Sequence, residues 1–186
     1  MGYTRFDRLV ASFRFRVGLP CIRPKSRVCD LGCGLHAQFL QMGRARISFG
    51  VGVDYQIDRT RTIEFPLVCA DVMQGLPFCS NSFDHVVMLA VLEHLSAPAP
   101  VLREVYRILA PGGSLVMTYP HAALDPLLKV LHTLELISKE MECKKHERRI
   151  PLRELLGLLE GIGFGRCVHR KFEFGLNNLI LAHKPD

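Results

Sequence analysis

Three carboxylates in this 186-residue chain stand where a bound ligand could meet them: Asp30, Asp54 and Asp71. Each closes a short apolar run, Val28-Cys29, Val51-Gly52-Val53 and Val68-Cys69-Ala70. Asp30 is followed by Gly32 and Gly34, and a strand that stops in Gly-x-Gly brings bare backbone close to a ligand. Asp54 comes about 20 residues after that turn, where nucleoside-binding folds hold ribose hydroxyls. Asp also caps turns after strands. Any one of the three alone reads that way; three in order, with the Gly-x-Gly, do not.

Gly32-x-Gly34-x-x-Ala37 also satisfies the dinucleotide fingerprint G-x-G-x-x-G/A. Asp30 argues against that ligand. A carboxylate two residues before the first glycine repels a pyrophosphate but welcomes the ammonium group of an amino acid. Adenosine and an α-amino group occur together in S-adenosylmethionine. A nicotinamide oxidoreductase on a related fold is the rival, and the chain holds no Tyr-x-x-x-Lys pair to support it.

Other reactive residues carry less. His94 and His121 follow predicted strands and are the candidate general bases, since histidine titrates near working pH; His146 ranks behind them. Cys33, between the glycines, is a weak candidate nucleophile. The seven cysteines form an odd set without C-x-x-C spacing, so neither a metal site nor a disulfide framework is expected. Cys29 and Cys69 are expected in buried strands as small hydrophobes.

The elements that must position these groups alternate between strand and helix, the pattern of a doubly wound α/β fold with a mostly parallel sheet. A helix is expected over Thr4–Val17, ended by Gly18-Leu19-Pro20. Strands follow at Arg27–Asp30, Phe49–Asp54, Leu67–Ala70, His85–Ala90 and Ser114–Tyr119, with a short helix over Leu35–Met42 and a polar turn over Pro77–Phe83. Val101–Leu109 reads as a helix stopped by Pro111-Gly112-Gly113. Leu124–Ile137 is strongly apolar at helical spacing, and Pro151–Gly161 is another helix, with Pro151 suited to its first turn. Two closing strands, Gly165–Phe174 and Leu176–His183, flank a turn, the last of them antiparallel.

In this order the segments resemble the class I S-adenosylmethionine-dependent methyltransferases, in particular their type 11 small-molecule branch. The resemblance spans about residues 25 to 120 and weakens through 183. Val28 to Gly34 looks like the family's first motif and Val51-Gly52-Val53-Asp54 like its second. Cys69-Ala70-Asp71 matches the adenine-contacting segment. Leu76-Pro77-Phe78 with Ser82 to Val87, then Leu92-Glu93-His94-Leu95, match the fourth strand and its flanks, and Arg103 to Gly113 the helix and turn before the fifth.

The resemblance implies a Rossmann-like, seven-stranded, mostly parallel sheet with an antiparallel last strand, and S-adenosylmethionine as cofactor. It puts Asp30 near the methionine end, with Gly32 and Gly34 giving the close approach. Asp54 would take both ribose hydroxyls, Asp71 the adenine amino group with Val72 nearby, and Leu89 and Ala90 would line the methyl path. Tyr55 could pack on adenine or stand as a surface aromatic. His36 replaces the frequent third glycine, and the segments 34–49 and 54–67 are short. These departures motivate a second reading, a non-catalytic cofactor-binding or interaction protein.

The whole chain, 1–186, reads as one domain, with 1–24 as a helical lid and 121–150 as a helical insertion near the acceptor site. Methyl transfer from a sulfonium needs alignment above all and a base only if the acceptor must lose a proton. The acceptor is expected to be a small molecule, apolar or anionic. Residues 88–91, Met-Leu-Ala-Val, lack the Asn/Asp-Pro-Pro-Tyr segment of enzymes that methylate base or amide nitrogens. Leu124, Leu127, Leu128, Leu131 and Leu134 form an apolar face suited to an acceptor pocket, ordinary core or a homodimer contact. The net charge is +6. Its basic excess is concentrated before residue 62, with 11 Lys/Arg against 4 Asp/Glu, and a solvated surface explains it better than a nucleic-acid footprint. No apolar run reaches the roughly 18 residues of a membrane span, and no signal peptide is recognised, so the cytoplasm is the expected location.

Overall fold

A computed structural model describes residues 5–58, 60, 64–120 and 150–186. Its centre is a seven-stranded sheet in the order β3-β2-β1-β4-β5-β7-β6. The strands are β1 (Ser26–Leu31), β2 (Ile47–Asp54), β3 (Leu67–Cys69), β4 (Phe83–Leu89), β5 (Leu109–Pro120), β6 (Cys167–Phe172) and β7 (Asn177–His183). The β1–β2, β1–β4, β2–β3 and β4–β5 pairs are parallel. β7 runs antiparallel to both β5 and β6. This is the expected mostly parallel Rossmann-like sheet with its antiparallel last strand.

Helices cover both faces. α1 (Arg5–Gly18) and α2 (Gln38–Gly43) lie on one, α3 (Pro98–Ile108) and α4 (Leu152–Ile162) on the other. The inner strands therefore read as continuous apolar runs, as Val86-Val87-Met88 does, each residue fully buried. α3 is a helix because Pro98 suits its first turn and Val101, Leu102, Val105 and Ile108 fall on one buried stripe. On the other face Phe15 of α1 meets the buried Phe39 of α2 edge to face, ring centroids 6.0 Å apart. Replacing Phe39 by Ala would cost about 3–5 kcal/mol through lost burial and a cavity.

Local backbone geometry corrects three expectations. The helix expected over Leu35–Met42 begins only at Gln38, because Ala37 sits in the left-handed region at φ 43° and delays its entry. α3 stops at Ile108, where Leu109 turns extended, and β5 runs through Pro111-Gly112-Gly113. Those residues do not stop the helix; they lie within the strand that follows. Cys69 is exposed, since β3 is the sheet's edge, whereas Cys29 in the central β1 is buried. The apolar stretch 124–137, His121 and His146 lie outside the described residues, as does nearly all of the expected insertion 121–150. Among the described residues, no helix is long and apolar enough to cross a membrane.

Candidate active site at the carboxyl edge of the sheet

In a doubly wound sheet the ligand crevice opens beyond the carboxyl ends of the strands, where strand order reverses. Here that point lies between β1 and β4, where the chain, having wound outward through β2 and β3, crosses back to the other side of β1. Register puts the acidic residues along this edge: Asp30 lies opposite Gly52 on β2, and Asp54 opposite Cys69 on β3, two residues before Asp71. Three strands that are consecutive in space thus carry the three carboxylates at or just beyond their carboxyl ends.

The turn after β1 is tied to β2. The N–H groups of Gly32 and Cys33 donate to the Val53 carbonyl at 2.8 and 3.2 Å. Gly34 N–H donates to Asp54 Oδ2 at 2.8 Å, and Gln56 N–H to Asp54 Oδ1 at 3.1 Å. Each Asp54 oxygen thus holds one backbone donor and keeps a lone pair for a ligand hydroxyl. Asp54 therefore shapes the glycine turn as well as standing beside it.

Both glycines of that turn have positive φ, 72° at Gly32 and 67° at Gly34. A Cβ on Gly32 would come within 2.4 Å of Val91 Cγ2, so close packing excludes a side chain there. A Cβ on Gly34 would meet no atom within 4 Å. The space over Gly34 is open, the cradle that a ligand approaching bare backbone requires. Nothing in the local sequence marks the contributions of Val91 and the Gln56 amide.

Asp30 is 3% exposed, and its carboxyl is pushed up to about 8, first by burial and then by the charge of Asp54. A cation placed beside it would reverse that shift. Burial and the two carboxylates also hold the Cys33 thiol far above its usual range. It stays protonated and is not an activated nucleophile.

Asp71 accepts a hydrogen bond from Met73 N–H at 2.9 Å and caps a single helical turn, Val72–Gln74. Capping accounts for one of its oxygens. An open cleft of about 550 Å³ lies beside it, lined by Ala70, Asp71, Gln74, Gly75 and Leu76. Val72 is half-buried, and Tyr55 projects to solvent, 73% exposed. On the far side of β1, Leu89 closes β4 against α1, where Gly18 faces its side chain, and Ala90 follows at φ 58°. His94 is exposed at the end of the turn Leu92–His94, on the loop after β4. The structure brings Asp30, Gly32, Gly34 and Asp54 into one cluster, with Asp71, Val72 and Tyr55 on one flank and Leu89 on the other. At position 36 the His36 carbonyl accepts from the Gln41 side chain, tying the turn to α2.

These residues fit a nucleoside carrying an amino-acid group: paired acceptors for a diol, an open glycine backbone and a buried carboxyl that a cation would ionise. Among known proteins, a type 11 family model described as a methyltransferase domain matches residues 29–117. Demethylmenaquinone methyltransferase of Staphylococcus epidermidis is 27% identical over 190 residues, covering 89% of this chain and 78% of that protein. A probable tRNA methyltransferase 9B of Mus musculus is 33% identical over 112 residues, covering 56% of this chain and 24% of that one. A solved S-adenosylmethionine-dependent methyltransferase from Archaeoglobus fulgidus superposes with a TM-score of 0.70 at 19% identity, covering 95% and 94% of the two chains. The match begins at Cys29, just before the Asp30 turn, and ends at Met117 in β5, the stretch that builds the carboxyl edge. Residues 29–117 thus match a methyltransferase domain, and the sheet has the fold of S-adenosylmethionine-dependent methyltransferases.

Proposed function

We propose that this chain binds S-adenosylmethionine along the carboxyl edge of β1, β2 and β3 and transfers its methyl group to a small-molecule acceptor approaching from the β4–β5 side. The observation that carries this reading is Asp54, buried at the end of β2 and hydrogen-bonded through Oδ2 to the Gly34 amide. It links the position for a ribose diol to the backbone cradle for the rest of the ligand.

Bound S-adenosylmethionine supplies a methyl group activated on a sulfonium. The chain's own residues align it. Asp54 accepts the ribose hydroxyls in charge-assisted hydrogen bonds. Asp30 takes the ammonium, and the free lone pairs of Asp71, with the Val72 backbone, take the adenine amino group. Tyr55 is free to fold over the ring. Gly32 and Gly34 let the methionine portion approach, and Leu89 and Ala90 exclude water from the methyl path. The step asks for proximity and in-line geometry more than for acid–base groups. His94, exposed beyond β4, is the described histidine placed to take a proton from an acceptor that must lose one; His121 follows Pro120 in the sequence.

A small-molecule acceptor is favoured over RNA because the relative matched along most of the chain acts on demethylmenaquinone. The tRNA methyltransferase is matched over little more than half of it. Titration calorimetry with S-adenosylmethionine tests the reading: wild type binds and Asp54→Ala does not. Equal affinity in the two proteins would overturn it.

A further inference from the structure

A second group of polar side chains stands at the same edge, on the α1 face. The alternation along β5 and β7 turns Thr118 and Asn177 toward that face, together with Val116 and Leu179, which belong to its core. Thr118 pairs with Leu179, and Pro120 with Asn177, so Thr118 and Asn177 are diagonal neighbours. Asn177 Nδ2 donates to Glu173 Oε2, and Arg14 on α1 acts electrostatically on the same Glu173. Among the described residues, four atoms of this group are buried with no hydrogen-bond partner: Thr118 Oγ1, Asn177 Oδ1, Glu173 Oε1 and Arg14 Nε. Thr118 is 0% and Asn177 1% exposed. Each such orphan bears the full cost of its desolvation, so four together call for an occupant.

The group is one strand away from the proposed methyl path. Thr118 pairs with Leu89, and its carbonyl accepts from the Ala90 N–H at 3.0 Å. Phe15, Leu89, Phe172 and Leu179 form the apolar surroundings. The unused hydrogen-bonding capacity is of both kinds. Arg14 Nε–H donates, Asn177 Oδ1 and Glu173 Oε1 accept, and the Thr118 hydroxyl does either. A hydroxyl matches that set because it donates and accepts at once. A carboxylate would set its oxygens against those of Glu173 and Asn177, and an ammonium would meet Arg14.

We propose that Arg14, Thr118, Glu173 and Asn177 form the acceptor-recognition part of this active site, reading a neutral hydroxyl, phenolic or enolic, on an apolar body. This rests on the methyltransferase reading above and names its acceptor class. Burial raises the Glu173 carboxyl, and the Arg14 charge and the Asn177 hydrogen bond only partly offset this. The subsite is therefore less anionic than its composition implies, which suits an uncharged partner.

A matched probe set tests it, with and without excess S-adenosylhomocysteine: 1-naphthol, 1-methylnaphthalene and 1-naphthoate, followed by calorimetry. The naphthol is expected to bind at least about tenfold more tightly than the other two. Thr118→Val, which preserves shape, and Glu173→Gln should each erase most of that preference while leaving S-adenosylmethionine affinity unchanged. Equal binding of the three probes by wild type, or a naphthol preference intact in both variants, would overturn the subsite. Naphthol preference lost in the variants, in a protein that does not bind S-adenosylmethionine, would uphold the subsite and overturn the methyltransferase reading instead.

Discussion

The two edges of one sheet treat their charges in opposite ways. At the amino edge every prominent polar group of the inner strands is paired. Arg27 at the start of β1 holds Asp84 at the start of β4 through its backbone N–H and its guanidinium, with an ion-pair contact of 2.9 Å. His85 accepts the Arg23 N–H at Nε2, so its Nδ1 carries the proton and donates to Ser114 Oγ at 2.8 Å. Lys184 donates to the carbonyls of Tyr106 and Leu109 and to Asn81 Oδ1. At the carboxyl edge Asp30 is buried, no hydrogen-bond donor among the described residues offsets its desolvation, and Asp54 brings a negative charge toward it. Pairing at one edge secures the fold; at the other, burial and the charge of Asp54 favour the protonated form of Asp30. The same strands therefore separate paired from unpaired acidic groups by about their own length.

Substitutions can break this contrast. The largest effect is expected at Asp54, where alanine removes both diol acceptors and the anchor of the Gly34 amide. S-adenosylmethionine affinity should fall at least about 100-fold in calorimetry, consistent with losing hydrogen bonds to a charged group. The fold should persist by circular dichroism.

At the opposite edge, burial and the Arg23 charge push the His85 imidazole down to about 4. Its folded value lies below its unfolded one, so the stability it contributes is full above about 6.5 and is lost as pH falls through about 4. Denaturant midpoints measured across that window should show wild type losing roughly 2–3 kcal/mol more than His85→Leu. S-adenosylmethionine affinity at neutral pH should not change in that variant. A change would mean that the two edges are coupled.

Asp30 carries the opposite sign. Its folded value is raised to about 8, so its protonated form stabilises the free protein below about 4, and that contribution is lost as pH rises through about 8. An ammonium ligand needs the ionised form. Affinity for S-adenosylmethionine should therefore climb by up to about tenfold per pH unit between 6 and 8. Binding at pH 7 should release close to one proton, read from the buffer dependence of the calorimetric heat. Asp30→Asn should bind weakly and without that pH dependence.

The smallest effect belongs to the Arg27–Asp84 pair. The Arg27 side chain is 45% exposed, so Arg27→Ala should cost no more than about 1 kcal/mol in urea unfolding. Cofactor binding should be untouched, which sharpens the view that this edge serves the fold alone.

Legibility from the sequence followed how local each feature is. The strand ends at Asp30, Asp54 and Asp71 were readable because an apolar run, an acid and a Gly-x-Gly turn lie together in the chain. Asp71 kept two readings, and the Met73 amide on its carboxylate satisfies the capping one while its other oxygen stays open. The start of α2 was misread because the left-handed turn at Ala37 involves a residue whose type predicts helix. Pro111-Gly112-Gly113 was misread because strand pairing, not turn chemistry, decides its conformation. The Thr118–Asn177 neighbourhood had no sequence signal at all. It arises because β7 returns antiparallel beside β5 and joins residues as distant as Asn178 and Tyr119, 59 positions apart.

The sequence by itself determined the class of fold and the acids at the strand ends, since hydrophobic period, glycine and charge act over a few residues and carry their meaning locally. The tertiary structure alone decided which of those acids is desolvated, which amides Asp54 and Asp71 hold, and where unpaired polar atoms collect on the α1 face. Burial and long-range strand pairing belong to the whole sheet, and no short stretch of the chain encodes either.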